Sequence, residues 1–351
     1  MFNLDKLVRE NIKSLKPYSS ARHEFTGKAS VFLDANENAY GSPLERDSYN
    51  RYPDPLQWQV KFALTKIKGV PAENIFIGTG SDEVIDLAYR IFCNPGGVDN
   101  VIICPPTYGM YEVSANINDV AIKKVNLTPD FQLDVEGILN AVDDNTKLLF
   151  ICSPNNPTGN NMNREDVEIL LNNFPGIVII DEAYINYSKQ KTFIQELTEY
   201  PNLIVMQTLS KAWGLAALRL GLAYASMDII DLLNKTKPPY NVNDASQQLA
   251  LLALQNTDQV NNWIKEVVVE KDKLVKELST LSFVEKIFPS DANFILIRVN
   301  DADKIYTYLT DNEIVVRNRT KEVLCENCLR ITVGTPAENI LLIQTLKNYK
   351  G

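Results

Sequence analysis

The stretch Ile177-Val178-Ile179-Ile180-Asp181-Glu182-Ala183-Tyr184 runs through four β-branched residues and stops on a carboxylate. An unbroken apolar run of this length fits a strand covered on both faces, because a half-exposed strand would alternate. Comparable runs recur from Asn74 to Ile77, Val101 to Cys104, Lys147 to Cys152, Leu203 to Met206 and Leu220 to Ala223, with a shorter one from Val31 to Leu33. Helical stretches separate them. The pattern predicts an α/β domain with a mostly parallel central sheet sandwiched by helices.

Small and polar residues gather just past these strands, at Gly78 to Asp82, Pro105 to Tyr108, Ser153 to Gly159 and Asp181 to Tyr184. Open α/β sheets bind ligands outside the carboxyl ends of their strands, so the candidate chemistry falls on one sheet edge. Lys237-Pro238-Pro239-Tyr240 then interrupts the chain. Beyond it we expect a long helical stretch from Asp244 to Leu281. A strand at Phe294 to Val299, a helix at Ala302 to Asp311 and strands at Ile314 to Arg317 and Leu329 to Val333 should follow. The expected organisation is an N-terminal arm (1–29), a large domain (30–243) and a smaller α+β domain (244–351).

Composition narrows the function. A chain of 351 residues with 45% hydrophobic and 23% charged content has the make-up of a globular protein with ample core. Its net charge of −9 argues against nucleic acid as a partner. No apolar run reaches spanning length, and charges interrupt Met1 to Glu10, so neither a membrane helix nor a signal peptide is expected. Five scattered cysteines suggest a reducing, cytoplasmic setting. Cys93, Cys104 and Cys152 read as small core hydrophobes. Cys325-Glu326-Asn327-Cys328 has the spacing of half a zinc site, but His23 is the single histidine and no second pair exists. No metal is expected, and a Ser-His-Asp hydrolase is disfavoured.

The segment Thr208-Leu209-Ser210-Lys211-Ala212-Trp213-Gly214-Leu215-Ala216-Ala217-Leu218-Arg219-Leu220-Gly221 places one lysine among small apolar residues. Burial favours its neutral amine, the form that condenses with an aldehyde. Ser210 and Arg219 can hold an anion nearby. Pyridoxal phosphate needs such an amine for its aldehyde and several donors for its phosphate. Asp181, at the mouth of its strand, suits a protonated pyridine nitrogen, and Tyr184 the ring's phenolic oxygen. Taken singly, Asp181 reads far more readily as a helix cap. Asn156 sits in a turn fixed by Pro154 and Pro157, and Tyr108 offers a ring to stack on a flat heterocycle. Gly78-Thr79-Gly80-Ser81-Asp82-Glu83 leads into a helix and exposes N–H groups at its positive end. Asp82 and Glu83 would repel an anion, so their side chains should turn away or meet other groups.

In this order, these segments resemble the fold-type I pyridoxal-phosphate-dependent aminotransferases, and the likeness covers nearly the whole chain. Pro17-Tyr18-x-x-Ala21-Arg22, Leu33-Asp34-Ala35-Asn36-Glu37-Asn38, Arg51-Tyr52-Pro53-Asp54-Pro55 and Cys328-Leu329-Arg330-Ile331-Thr332-Val333-Gly334 are similar to the histidinol-phosphate aminotransferase group. The resemblance implies transfer of an amino group between L-histidinol phosphate and 2-oxoglutarate in histidine biosynthesis. An aromatic amino-acid aminotransferase and a phospho-amino-acid decarboxylase remain the alternatives.

It further implies roles for single residues. Lys211 corresponds to the lysine that bonds the cofactor and moves the proton, Asp181 to the partner of the ring nitrogen. Asn156 and Tyr184 match the ring-oxygen contacts, and Tyr108 the stacking ring. Gly80, Ser81, Asp82, Ser210 and Arg219 fall at the phosphate site. Tyr52 corresponds to a tyrosine lent to a neighbouring subunit's cofactor, which implies a homodimer. Arg330 matches the arginine for the substrate's anion, with Tyr18, Asn36 and Arg317 as further substrate contacts. Trp213 stands where phenylalanine is expected in such segments.

Overall fold

The computed structural model describes residues 2–17, 31, 33–44 and 49–350. Seven strands form one sheet: β1 (Ile75–Thr79), β2 (Asn100–Ile103), β3 (Ala121–Lys124), β4 (Thr146–Cys152), β5 (Ile177–Asp181), β6 (Leu203–Thr208) and β7 (Leu220–Ala225). Their order is β1-β7-β6-β5-β4-β2-β3. The pairs from β3 through β6 are parallel, while β7 runs antiparallel to both its neighbours, β6 and β1.

The unbroken apolar run of β5 is explained by its two faces. Val178 and Ile180 point into one core with the helix Arg164–Asn173 and Val60 and Leu64. Ile177 and Ile179 point into the other, under the helix Ser81–Phe92. All four are fully buried. Cys93, Cys104 and Cys152 lie inside these two cores as free, buried thiols.

A second sheet holds β8 (Val284–Ile287), β9 (Phe294–Val299), β10 (Arg317–Asn318) and β11 (Cys328–Thr332), in the order β10-β11-β9-β8 with every pair antiparallel. Helices Ala302–Asp311 and Pro336–Asn348 and the end of Thr257–Leu278 close a third core against it. The helix Pro336–Asn348 opens with Thr335 and Glu338 in a reciprocal capping box.

Several local expectations shift. The stretch from Asp244 to Leu281 is two helices, Asp244–Leu254 and Thr257–Leu278. Asn256 separates them, its side-chain amide donating at 2.9 Å to the Leu252 carbonyl that a continuing helix would have used. Strands β3 and β8 escape a hydrophobic reading because Ala121-Ile122-Lys123-Lys124 and Val284-Glu285-Lys286-Ile287 carry the charges that blunt sheet edges. The strand expected from Ile314 shrinks to Arg317–Asn318, since the Ile314 N–H closes the preceding helix onto Leu309 O at 2.9 Å. Val31 and Leu33 belong to no strand and are 66% and 83% exposed, so no neighbouring strand buries either of them.

Candidate active site

A cavity of about 670 Å³ opens at the carboxyl ends of β4, β5 and β6 and reaches the second sheet. Asp181 closes β5 at its base and is 3% exposed. One carboxylate oxygen, Oδ1, accepts the Ala183 N–H at 3.0 Å, and Oδ2 accepts the Tyr111 hydroxyl at 2.8 Å. Burial raises the Asp181 pKa, and the Tyr111 bond opposes that by stabilising the anion. Tyr111 is fully buried, its ring 4.8 Å from Phe150 in a near-parallel stack. Burial pushes its own pKa well up, so it remains a donor. Sequence reading missed Tyr111. The available signal was its place one helical turn after Tyr108, whose ring it meets edge-on at 5.6 Å.

The loop from β1 into the helix Ser81–Phe92 forms one wall. Gly80 has φ +78°, a conformation that favours glycine. A side chain there would also strike the Arg219 guanidinium at 2.6 Å. Its N–H donates to Arg219 O at 2.9 Å, which ties the loop to β7. Behind it Gly221 permits the closest approach in the site, since a Cβ would lie 2.1 Å from Gly80 C and Ser81 N. The first N–H groups of a helix lack intrahelical partners, so Ser81 and Asp82 present donors beside Arg219 and Ser210.

The two acidic residues part company here. Glu83 turns back, accepting the Thr79 N–H and Asn241 Nδ2. Asp82 lines the cavity, but its oxygens are engaged by the Tyr108 hydroxyl at 3.1 Å and Arg219 at 3.5 Å. The expectation that both would meet other groups holds.

Lys211 follows β6 and reaches into the cavity with Nζ 5.7 Å from the Tyr184 ring centre. Desolvation lowers its pKa, helped by the positive charge of Arg330. Tyr184 is 8% exposed and packs edge-on to Phe294. In the turn after β4, Asn155 is the buried anchor, donating to Pro106 O and Thr158 Oγ1, each at 2.8 Å. That leaves Asn156 to face the cavity, where its Oδ1 accepts from Arg330.

Arg317 and Arg330 are cross-strand partners in β10 and β11, and both line the far end. Arg330 Nε is buried with no hydrogen-bond partner among the described residues. Among the lining residues that the sequence reading passed over, two are charged, Arg319 and Glu322.

Three candidates remain. Tyr18 falls outside the described residues. Asn36 is exposed, at φ +53°, and does not line the cavity. Neither does Tyr52, which is half exposed and stacked on Tyr240 at 4.5 Å. Glu37 joins these two segments, accepting the Tyr52 N–H at 2.7 Å and Arg51 Nη1 at 2.6 Å.

One amine of lowered basicity, one buried carboxylate and a helix-end anion cradle thus share a single cavity. The family model for aminotransferases of class I and II matches residues 30–346. The chain belongs to that family. It is an aminotransferase. Among curated relatives, the histidinol-phosphate aminotransferase of Cytophaga hutchinsonii is 55% identical, covering 99% of each chain. That of Bacteroides thetaiotaomicron is 53% identical over the whole of both. Among solved structures, the Sinorhizobium meliloti histidinol-phosphate aminotransferase in complex with pyridoxal 5′-phosphate has a TM-score of 0.77 at 23% identity, covering 85% of this chain and 83% of that one. At that identity the likeness speaks for the fold.

Proposed function

We propose that this aminotransferase moves an amino group reversibly between L-histidinol phosphate and 2-oxoglutarate, giving imidazole acetol phosphate and L-glutamate in histidine biosynthesis. The observation that carries the reading is full-length identity of 50–55% to curated relatives of that name. The cofactor is pyridoxal phosphate, and the donor set suits it: an amine for its aldehyde, a carboxylate for its ring nitrogen and a cradle for its phosphate. When bound, it supplies an electron sink for the carbon that loses its proton.

The chain's own residues do the rest. Lys211 Nζ, of lowered basicity, takes and returns that proton. Asp181, held by Tyr111 and Ala183, would pair with the ring nitrogen and favour its protonated form. Tyr108 would cover one face of the ring, and Asn156 and Tyr184 would orient its oxygen. Backbone N–H groups of Ser81 and Asp82, with Ser210 and Arg219, would hold the phosphate. At the far end Arg330 and Arg317 would bind the substrate's anion, with Tyr18 as a further contact. A guanidinium fork accepts phosphate and carboxylate alike, as a site serving two different substrates needs.

The dimer belongs to this reading. Glu37 and Tyr240 hold Tyr52 in a defined place outside its own cavity, as suits a side chain lent to a second copy. The proposed organisation is an arm to residue 29, a large domain from 30 to 243 and a small domain from 244. The proposed setting is the cytoplasm; among the described residues no helix is long and apolar enough to cross a membrane.

The test is a half-reaction. Cofactor-loaded protein mixed with L-histidinol phosphate alone should lose the aldehyde form's absorption, and 2-oxoglutarate should restore it. Conversion by aromatic amino acids or glutamate only would overturn the substrate assignment and leave the aminotransferase intact.

A further inference from the structure

We propose that Arg319, restrained by Glu322, makes the far end of the cavity select a doubly charged phosphate over a singly charged carboxylate. The inference rests on the substrate reading above and names the residue pair that would carry its specificity. Strand alternation is the starting point. Arg317 and Arg319 are two residues apart, so their side chains leave the same face, and Arg317 lies directly opposite Arg330. The ladder continues through Arg319, whose N–H donates to Cys328 O at 2.8 Å. Asn318, between them, points away and donates to Asp303 at 2.6 Å. Three guanidinium groups therefore converge on one end of one cavity.

Arginine does not shed its proton in a protein, so this crowding has to be met by negative charge. The described residues meet it only in part. Arg319 Nη1 lies 3.6 Å from Glu322 Oε1, a pair at the rim. Arg319 Nε and Arg330 Nε are both buried without a hydrogen-bond partner among the described residues. Burial foremost pulls the pKa of both groups down, and the neighbouring arginines add to it. Three positive charges against one leave a surplus of two. A phosphate dianion cancels that surplus and offers three acceptor oxygens, whereas a single carboxylate of glutamate cancels half of it with two. Glu322 is the counterweight: without it, the end would be more positive still and tighter for any anion.

The experiment compares wild type, Arg319→Gln and Glu322→Gln as cofactor-loaded enzymes, with thermal melts to confirm folding. Removing a charge-assisted hydrogen bond to one substrate lowers its kcat/KM by about tenfold to a hundredfold. For Arg319→Gln, the kcat/KM ratio of L-histidinol phosphate to L-glutamate should fall by at least about tenfold. Inorganic phosphate, used as an inhibitor of the glutamate half-reaction, should weaken by a similar factor. In Glu322→Gln it should inhibit more strongly than in wild type. An unchanged substrate ratio with an unchanged phosphate inhibition constant, or an equal loss for both substrates, would overturn the proposal. If wild type does not convert histidinol phosphate at all, the substrate reading fails on its own, and the inorganic-phosphate comparison still decides what Arg319 and Glu322 do.

Discussion

Replacing Tyr111 by phenylalanine tests the base of the site with the least disturbance. The ring keeps its stack on Phe150, and the one group removed is the hydroxyl bonded to Asp181 at 2.8 Å. Both partners are buried, so water does not readily replace the missing donor. A hydrogen bond to a charged group contributes about 1.5–3 kcal/mol, and one between neutral groups about 0.5–1.5 kcal/mol. The cost therefore depends on whether Asp181 is ionised. Burial has already raised the folded-state pKa of Asp181 above the ordinary carboxylate value. Its burial thus costs stability increasingly as pH rises through that folded value, and Tyr111 offsets the cost by favouring the anion. In cofactor-free protein, urea unfolding should show Tyr111→Phe destabilised by the smaller amount in acid. The deficit should grow to the larger amount as pH rises past the point where Asp181 ionises. The variant should also bind pyridoxal phosphate more weakly. A deficit that is the same at both ends of the pH range, or absent, would mean that the hydroxyl does not support the carboxylate.

Two more perturbations probe the rim of the cavity. Gly221→Ala puts a Cβ into the backbone at Gly80 and Ser81 and should cost about 1–3 kcal/mol, visible as a lower melting temperature and a larger cofactor Kd; unaltered cofactor affinity would show that the loop yields freely. The rate at which cofactor-free protein takes up pyridoxal phosphate should climb with pH through the depressed Lys211 pKa, because only the neutral amine attacks the aldehyde, and a midpoint at the ordinary lysine value would refute the depression.

How legible each residue was follows from how its neighbours are encoded. Lys211, Asp181, Asn156 and the Gly80 loop could be read because each sits at the end of an apolar strand, and strand ends on one edge of an α/β sheet converge by topology. Tyr111 was missed because its partner Asp181 is 70 residues away, and its place one turn after Tyr108 points to the cavity but not to that bond. Arg319 carries no motif of its own, and only its pairing with β11 aligns it with Arg317 and Arg330. Asn36 and Tyr52 were found as motifs, yet the chain's own fold leaves both outside the cavity. A motif gives a residue's company along the chain, whereas its company in space is set by the fold, and on the proposed dimer reading by a second copy.

The antiparallel course of β7 shows why the lysine segment has its length and composition. Had β7 been parallel to β6, its first residues would have started at the opposite edge of the sheet, far from the ligand side. Running backward, it pairs Gly221 with Thr208 and Leu220 with Thr79, so the end of β6, the start of β7 and the end of β1 meet at one point. The residues from Leu209 to Arg219 are then obliged to loop out over that edge. Both ends of the loop are pinned, since Leu209 N–H donates to Leu220 O at 3.1 Å and Gly80 N–H to Arg219 O at 2.9 Å. One reversal thus delivers Ser210 and Lys211 from one side and Arg219 from the other. The helix N-terminus at Ser81 comes within reach of all three. Gly221 is what lets the strands close that far, because any side chain there would hold β7 away from the Gly80 loop and separate the arginine from the cradle it completes.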